Sequence, residues 1–129
     1  MMNSLHAKIL VIDDKDSNRK LLEVFVQADG YQTVAATDGE TGIAMAISEQ
    51  PNVILLDLMM PGLDGFEVVR RLKSNPETAS IPVIVVTALY DIASRQRLGV
   101  WGSTEILRKP VDRWELSDRI SKLLASSKD

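Results

Sequence analysis

One stretch near the middle of the chain constrains the fold more than any other. Four apolar residues at positions 53–56 run without interruption into the carboxylate of Asp57, and a turn-rich segment with Pro61, Gly62 and Gly65 follows at once. Uninterrupted apolar strands are buried on both faces, as in a parallel sheet that helices cover. The stretch therefore predicts a central strand with Asp57 at its C-terminal end, where open α/β sheets place their ligand sites.

Length and composition fit one globular domain. The chain has 129 residues, of which 45% are apolar and 26% charged, so we predict a single domain over 1–129. Its core is expected at about 7–125, with 126–129 as a tail or the start of a linker. The net charge of −3 argues against direct nucleic-acid binding. The lack of cysteine excludes disulfides and suits the cytoplasm, and no apolar run approaches the ~20 residues of a membrane span.

Strand and helix patterns alternate along the whole chain. Strands are predicted at residues 8–12, 32–36, 53–57, 81–86 and 105–108. Helices are predicted at about residues 17–29, 37–50, 64–74, 91–98 and from 112 onward. Because the connections are short, the strands must run parallel with right-handed helical crossovers. The result is an α/β three-layer sandwich with five strands and five helices, and the alternation alone leaves the strand order open.

Local signals mark several helix ends. Thr37, Asp64 and Asp112 each precede a glutamate by three residues, which is the form of a capping box. Gly30 is placed to end the first helix. The apolar stripe of that helix is predicted from the helical spacing of Leu21, Leu22, Phe25 and Val26.

Polar residues stand at the ends of four predicted strands. They are Asp13 and Asp14 after the first strand, Asp57 after the third, Thr87 after the fourth and Lys109 after the fifth. The ends of parallel strands share one edge of the sheet, so these residues are expected around one crevice. Three carboxylates that close repel one another, and a hard cation such as Mg²⁺, with its preference for oxygen ligands, resolves the repulsion.

The same set of groups suits a phosphoryl group. A metal ion, the ammonium of Lys109 and the hydroxyl of Thr87 can together hold its oxygens. Asp57 belongs to the central strand, which makes it the predicted covalent acceptor.

Taken together, these motifs resemble the receiver domain of two-component response regulators over nearly the full length of the chain. The resemblance implies a flavodoxin-like fold with strand order 2-1-3-4-5. It is carried by the following segments, in family-like order and spacing: residues 12–14, 55–57, 60–62, 64–65, 86–88 and 109–110.

The resemblance also implies a role for each matching position. Mg²⁺ would be bound by Asp14 directly, by Asp13 mostly through water, by Asp57 and by the backbone carbonyl of Met59. Asp57 would take the phosphoryl group from the phosphohistidine of a histidine kinase or phosphotransfer protein.

Two further positions would serve the phosphoryl group. Lys109 would contact the phosphoryl oxygens, and Thr87 would move toward them. A cis peptide at Lys109-Pro110 is likewise implied by the resemblance alone.

The resemblance predicts signalling rather than catalysis on a separate substrate. The domain would undergo only its own phosphorylation and dephosphorylation. Phosphorylation would alter the face made of the fourth helix, fifth strand and fifth helix, which family members use for downstream partners or homodimers. Trp101 and Trp114 lie in or near this region, where each ring either covers the core or meets a partner. Ile106 departs from the family, which usually has an aromatic residue there as part of the switch.

Three alternatives stay open to test. A flavodoxin-type electron carrier would place a cofactor phosphate where Asp13 and Asp14 repel it. A phosphatase of the dehalogenase type needs two aspartates separated by one residue, whereas these two are adjacent. A degenerate receiver that binds partners without phosphorylation is the nearer rival, because Ile106 replaces the usual aromatic residue.

Overall fold

The computed structural model describes residues 7–58, 60, 62, 64–88 and 104–126. The strands are β1 (Lys8–Ile12), β2 (Gln32–Ala36), β3 (Val53–Asp57), β4 (Val83–Thr87) and β5 (Thr104–Arg108). The helices are α1 (Asp16–Ala28), α2 (Gly39–Glu49), α3 (Gly65–Ser74) and α4 (Arg113–Ser126). The predicted helix at 91–98 lies outside the described residues, and α4 is the fifth helix of the sequence prediction. None of the described helices has the length and apolar character needed to span a bilayer.

The five strands form one parallel sheet with β3 at its centre. Their order is β2-β1-β3-β4-β5, as the resemblance implied. The register pairs Ile12 with Leu56, and it pairs Asp57 with Val86. All five residues of β3 are buried, which explains why its sequence is apolar without alternation.

The helices cover the sheet on both sides, and the sheet separates two apolar clusters. α1 and α4 pack on one face, where Leu22, Val26, Leu116 and Ile120 meet the odd-numbered residues of β1 and β3. On the opposite face, α2 and α3 contribute a second set of buried residues, namely Ala46, Phe66, Val68, Val69 and Leu72. The predicted three-layer sandwich is therefore confirmed. Leu21, which was expected in the apolar stripe of α1, is instead 49% exposed.

The start of β4 lies two residues later than predicted. Ile81 donates its backbone N–H to the carbonyl of Thr78, so it belongs to the preceding turn. Pro82 has no N–H, but its carbonyl accepts from the backbone of Ile54. The strand proper then runs from Val83 and includes Thr87 as its last residue.

Two of the predicted helix caps lie at the expected residues, and one does not. Asp64 caps α3 by accepting the backbone N–H of Glu67, and the carboxylate of Asp112 accepts from Trp114 at 3.4 Å. For α2 the cap is Asp38, whose carboxylate accepts from Thr41, so the prediction of Thr37 was wrong. Both residues are good caps in isolation, and the pattern of three-residue spacing selected the wrong one.

Gly65 allows α3 to begin close against the end of β3. A Cβ at this position would lie 2.5 Å from the backbone Cα of Leu58 and 2.8 Å from its carbonyl oxygen. We expect Gly65→Ala to lower the free energy of unfolding by about 3 kcal/mol, because backbone atoms cannot yield as a side chain can. Gly62→Ala is the matched control: it has open space but a φ of +79°, so it should cost about 1 kcal/mol. Urea denaturation measures both, and equal losses would contradict the steric explanation.

Candidate functional site

The acidic residues predicted to converge do so at the C-terminal edge of β1 and β3. Ile12 pairs with Leu56 in the register of β1 and β3. The residues that follow them, Asp13 and Asp57, therefore lie side by side at the edge of the sheet. Asp13, Asp14 and Asp57 each offer one carboxylate oxygen, and these oxygens lie within 4.8 Å of one another. Asp13 and Asp57 are almost completely buried, at 0% and 2% exposure. Their close approach makes the cluster a candidate site for a cation.

Asp13 is fixed on several sides but keeps one oxygen free for a ligand. Its Oδ1 accepts the backbone N–H of Lys15 at 2.9 Å, and its own N–H donates to the carbonyl of Ala36. Its Oδ2 and the Oδ1 of Asp14 are buried without a hydrogen-bond partner. Buried carboxylate oxygens without donors are costly, and a divalent cation among them would remove that cost. The donor set therefore fits Mg²⁺.

The electrostatics of Asp13 agree with this geometry. Burial raises the pKa of Asp13 above its usual value of 3.8, and the neighbouring charges of Asp57 and Asp14 raise it further. The hydrogen bond from Lys15 and the charge of Lys109 oppose the rise. The cluster thus resists holding all its negative charge unless a cation compensates it.

Lys109 supplies a positive charge beside the central carboxylate. Its Nζ lies 3.5 Å from Oδ1 of Asp57. Its backbone N–H donates to the carbonyl of Thr87 at 2.9 Å, which ties the end of β5 to the end of β4. Thr87 is fully buried at that end. The Lys109-Pro110 peptide is cis, as the resemblance implied.

One residue outside the predicted set also contacts the acidic cluster. Arg19, in the second turn of α1, donates from Nη1 to the backbone carbonyl of Asp13 at 3.1 Å. Its position one helical turn after Asp16 was visible in the sequence, but nothing there links it to β1. Met59, whose carbonyl was expected among the metal ligands, lies outside the described residues.

Ile106 on β5 and Trp114 on α4 differ in their surroundings. Ile106 pairs with Val85 and packs, partly buried, against the core cluster on the α2 and α3 side of the sheet. Trp114 is 67% exposed, so its ring does not serve the core, and the guanidinium of Arg113 lies 4.6 Å from the ring centre. Trp101 lies outside the described residues.

A mostly apolar cleft of about 370 Å³ opens next to the acidic cluster. Asp13 and Lys109 form its polar end. Its other lining residues come from α1 and from the loop after β5, namely Asn18, Leu21, Leu22, Pro110 and Val111. The cleft thus adjoins the acidic cluster on the side of α1 and of the loop after β5.

Comparison with known proteins identifies the same architecture. Residues 9–121 match the family described as response regulator receiver domain. The response regulator PleD of Caulobacter vibrioides is 44% identical over 119 residues, which cover 92% of this chain but 26% of PleD. The chain thus spans about a quarter of that relative. Protein PilH of Pseudomonas aeruginosa is 37% identical over 123 residues, covering 92% of this chain and 98% of PilH.

A solved structure adds a likeness at the level of the fold. The receiver domain of the sensor histidine kinase PA1611 from Pseudomonas aeruginosa superimposes with a TM-score of 0.85 and 25% identity, over 93% of this chain and 98% of that one. That receiver was solved with a magnesium ion coordinated in its active-site cleft. The parallel sheet, the acidic cluster at its edge and the match over residues 9–121 lead to one conclusion: this chain belongs to the family of response regulator receiver domains.

Proposed function

We propose that this receiver domain accepts a phosphoryl group on Asp57 from the phosphohistidine of a histidine kinase or phosphotransfer protein. The observation that carries the proposal is the pairing of three converging carboxylates with an ammonium 3.5 Å from one of them. The carboxylate beside Lys109 is also the one on the central strand. A nucleophile with a fixed cation next to it is suited to an incoming dianionic group.

The proposal includes a bound Mg²⁺. Asp13, Asp14 and Asp57 would hold it together with the backbone carbonyl of Met59. The two carboxylate oxygens that lack hydrogen-bond donors support this assignment. When bound, Mg²⁺ supplies positive charge to the transferring phosphoryl oxygens.

The residues of the chain perform the remaining chemistry. A lone pair on a carboxylate oxygen of Asp57 forms the new O–P bond, and the P–N bond breaks with its electron pair returning to the histidine nitrogen of the donor. Lys109 binds one phosphoryl oxygen, and the hydroxyl of Thr87 donates a hydrogen bond to another. Hydrolysis of the acyl phosphate by water then restores the carboxylate of Asp57 and releases inorganic phosphate. In this proposal the domain promotes only its own phosphorylation and dephosphorylation, and it does not act as an enzyme on a separate substrate.

The output of this reaction is a change of binding surface. Phosphorylation would shift an existing equilibrium between two arrangements of the face that contains the predicted helix at 91–98, β5 and α4. Ile106 lies on β5 in that face, so the shift would proceed without the usual aromatic side chain. The exposed ring of Trp114 would contact a downstream protein or a second copy of the chain. We place the domain in the cytoplasm, where histidine kinases present their phosphohistidine.

The direct test is the intact mass of the protein after incubation with a small acyl phosphate. With Mg²⁺ present, we expect one added phosphoryl group per chain; with EDTA in place of Mg²⁺, we expect none. The metal dependence follows because the site must compensate three carboxylates before it can accept further negative charge. Beryllofluoride, which mimics a bound phosphoryl group, should bind under the same conditions.

The outcomes separate this function from its nearest rival. A receiver that acts by binding alone would gain no mass under rapid quench and would form no beryllofluoride complex. That pair of results would overturn the proposal. If only the phosphorylated mass were missing while beryllofluoride still bound, rapid hydrolysis of the acyl phosphate would explain the loss, and the proposal would stand.

A further inference from the structure

Arg19 connects the acidic cluster to α1 through three contacts. Its Nη1 donates to the carbonyl of Asp13 at 3.1 Å, and its Nη2 donates to Oδ1 of Asp16 at 2.6 Å. Its Nε lies 3.8 Å from a carboxylate oxygen of Glu23. The side chain is only 12% exposed, so the guanidinium is held in place beneath the loop that follows β1.

The start of α1 has no side-chain cap that could link the helix to this loop. The residue at the N-cap of α1 is Lys15, and its side chain makes no capping hydrogen bond. The guanidinium instead joins the end of β1 to the first turn of α1, because one planar fork binds both Asp13 and Asp16.

The contact falls on the peptide that links the two expected metal ligands. The carbonyl of Asp13 belongs to the same peptide plane as the N–H of Asp14. The N–H of Asp13 is fixed by Ala36 and its carboxylate by Lys15. The hydrogen bond from Arg19 therefore restrains the peptide group between Asp13 and Asp14. The orientation of that peptide sets the direction in which the side chain of Asp14 projects from the backbone.

We infer that Arg19 is a positioning residue for the cation site: it holds the Asp13-Asp14 peptide in the orientation that lets both carboxylates bind one metal ion. This inference rests on the proposed function, since it assumes that the cluster binds Mg²⁺. Groups that orient metal ligands typically alter metal affinity by 10–100-fold when removed. Arg19 belongs to this class, although it bonds to the backbone of a ligand rather than to its side chain.

The charge of Arg19 makes the test decisive. Removing a cation near three carboxylates would by itself strengthen the binding of Mg²⁺, because the site becomes more negative. Loss of positioning weakens the binding. The two effects have opposite signs, so a weaker affinity cannot be explained by the charge change.

Titration calorimetry with MgCl₂ on the full chain provides the measurement. We expect Arg19→Gln to weaken Mg²⁺ binding by about tenfold relative to wild type. The control is Arg71→Gln, which also removes a charged arginine from ion pairs with glutamates, but on α3. Its Mg²⁺ affinity should stay within about twofold of wild type, because Arg71 bonds to Glu40 and Glu67 and not to the loop after β1.

A second readout separates positioning from a general loss of stability. Mg²⁺ raises the unfolding temperature of a protein according to its affinity for the folded state. If Arg19 served stability alone, its replacement would lower the unfolding temperature equally with and without Mg²⁺. If Arg19 positions the cation site, its replacement also reduces the rise in unfolding temperature that a fixed concentration of Mg²⁺ produces.

The outcomes distinguish a failure of the proposed function from a failure of this inference alone. If wild-type protein binds no Mg²⁺, the proposed function fails together with this inference. If wild type binds Mg²⁺ and Arg19→Gln binds it equally or more tightly, only the inference is overturned. Arg19→Met decides the matter if the glutamine variant does not fold: its unbranched side chain has no donor and leaves the carbonyl of Asp13 unbonded. Wild-type affinity in that variant would likewise overturn the inference.

Discussion

Replacing Asp57 by asparagine is expected to abolish phosphoryl uptake, leaving no added mass under conditions that modify the wild-type protein. An amide oxygen is a much weaker nucleophile than a carboxylate, and the variant also lacks the charge that Lys109 compensates at 3.5 Å. The side chain keeps its size in a position that is 2% exposed, so the fold should persist. Intact mass spectrometry after incubation with a small acyl phosphate and Mg²⁺ measures the effect.

The matched control for this substitution is Asp38→Asn. Asp38 follows β2 and is exposed, and its carboxylate caps α2 rather than joining the acidic cluster. Asparagine caps helices about as well as aspartate, so this variant should take up phosphoryl as wild type does. Equal modification of the Asp57→Asn protein would show that another residue is the acceptor.

The second large effect is a gain of stability when Asp13 becomes asparagine in metal-free protein. The amide of Asp13→Asn keeps an oxygen for the N–H of Lys15, but the substitution removes one of three crowded charges and a carboxylate oxygen that is buried without a donor. We expect the free energy of unfolding in EDTA to rise by about 1–3 kcal/mol, which is the usual cost of an unsatisfied buried group. Saturating Mg²⁺ should stabilise wild type far more than the variant.

The same substitution should alter the dependence of stability on pH. Because burial and the nearby carboxylates raise the pKa of Asp13 above 3.8, the folded protein binds that proton more tightly than the unfolded chain does. Metal-free wild type therefore loses stability as the pH rises from 3.8 through the raised pKa, and the variant lacks this contribution. Urea denaturation in EDTA across that range measures both curves. A metal-free variant that is less stable than wild type at neutral pH would contradict the account of a strained carboxylate cluster.

Local sequence patterns were sufficient for most of the architecture. The uninterrupted apolar run before Asp57 predicted a strand buried on both faces, and all five residues of β3 are buried. Such a pattern is readable because a strand enclosed by helices has no polar face. Helix starts were predicted less well where two capping residues are adjacent, and Asp38 rather than Thr37 caps α2. Local spacing cannot choose between neighbours whose hydrogen-bonding abilities are similar.

The composition of the candidate site was also visible in the sequence. Parallel strands present their C-terminal ends at one edge, and this rule alone predicts that Asp13, Asp14, Asp57, Thr87 and Lys109 lie together. The strand order came from resemblance to a family and not from the alternation of elements, since several orders satisfy the same crossover rules. The observed order, with β1 and β4 on either side of β3, is what gives Asp57 its neighbours.

The sequence by itself thus determined which elements form and which charged groups reach a common edge, because both depend on short-range periodicity and on the direction of the strands. Only the tertiary structure decided the contacts within that edge. The register of Ile12 with Leu56 placed the carboxylates within 4.8 Å, the packing of α1 brought Arg19 to the carbonyl of Asp13, and burial left Oδ2 of Asp13 without a donor. These contacts depend on how separate elements pack, which no local pattern in the chain encodes.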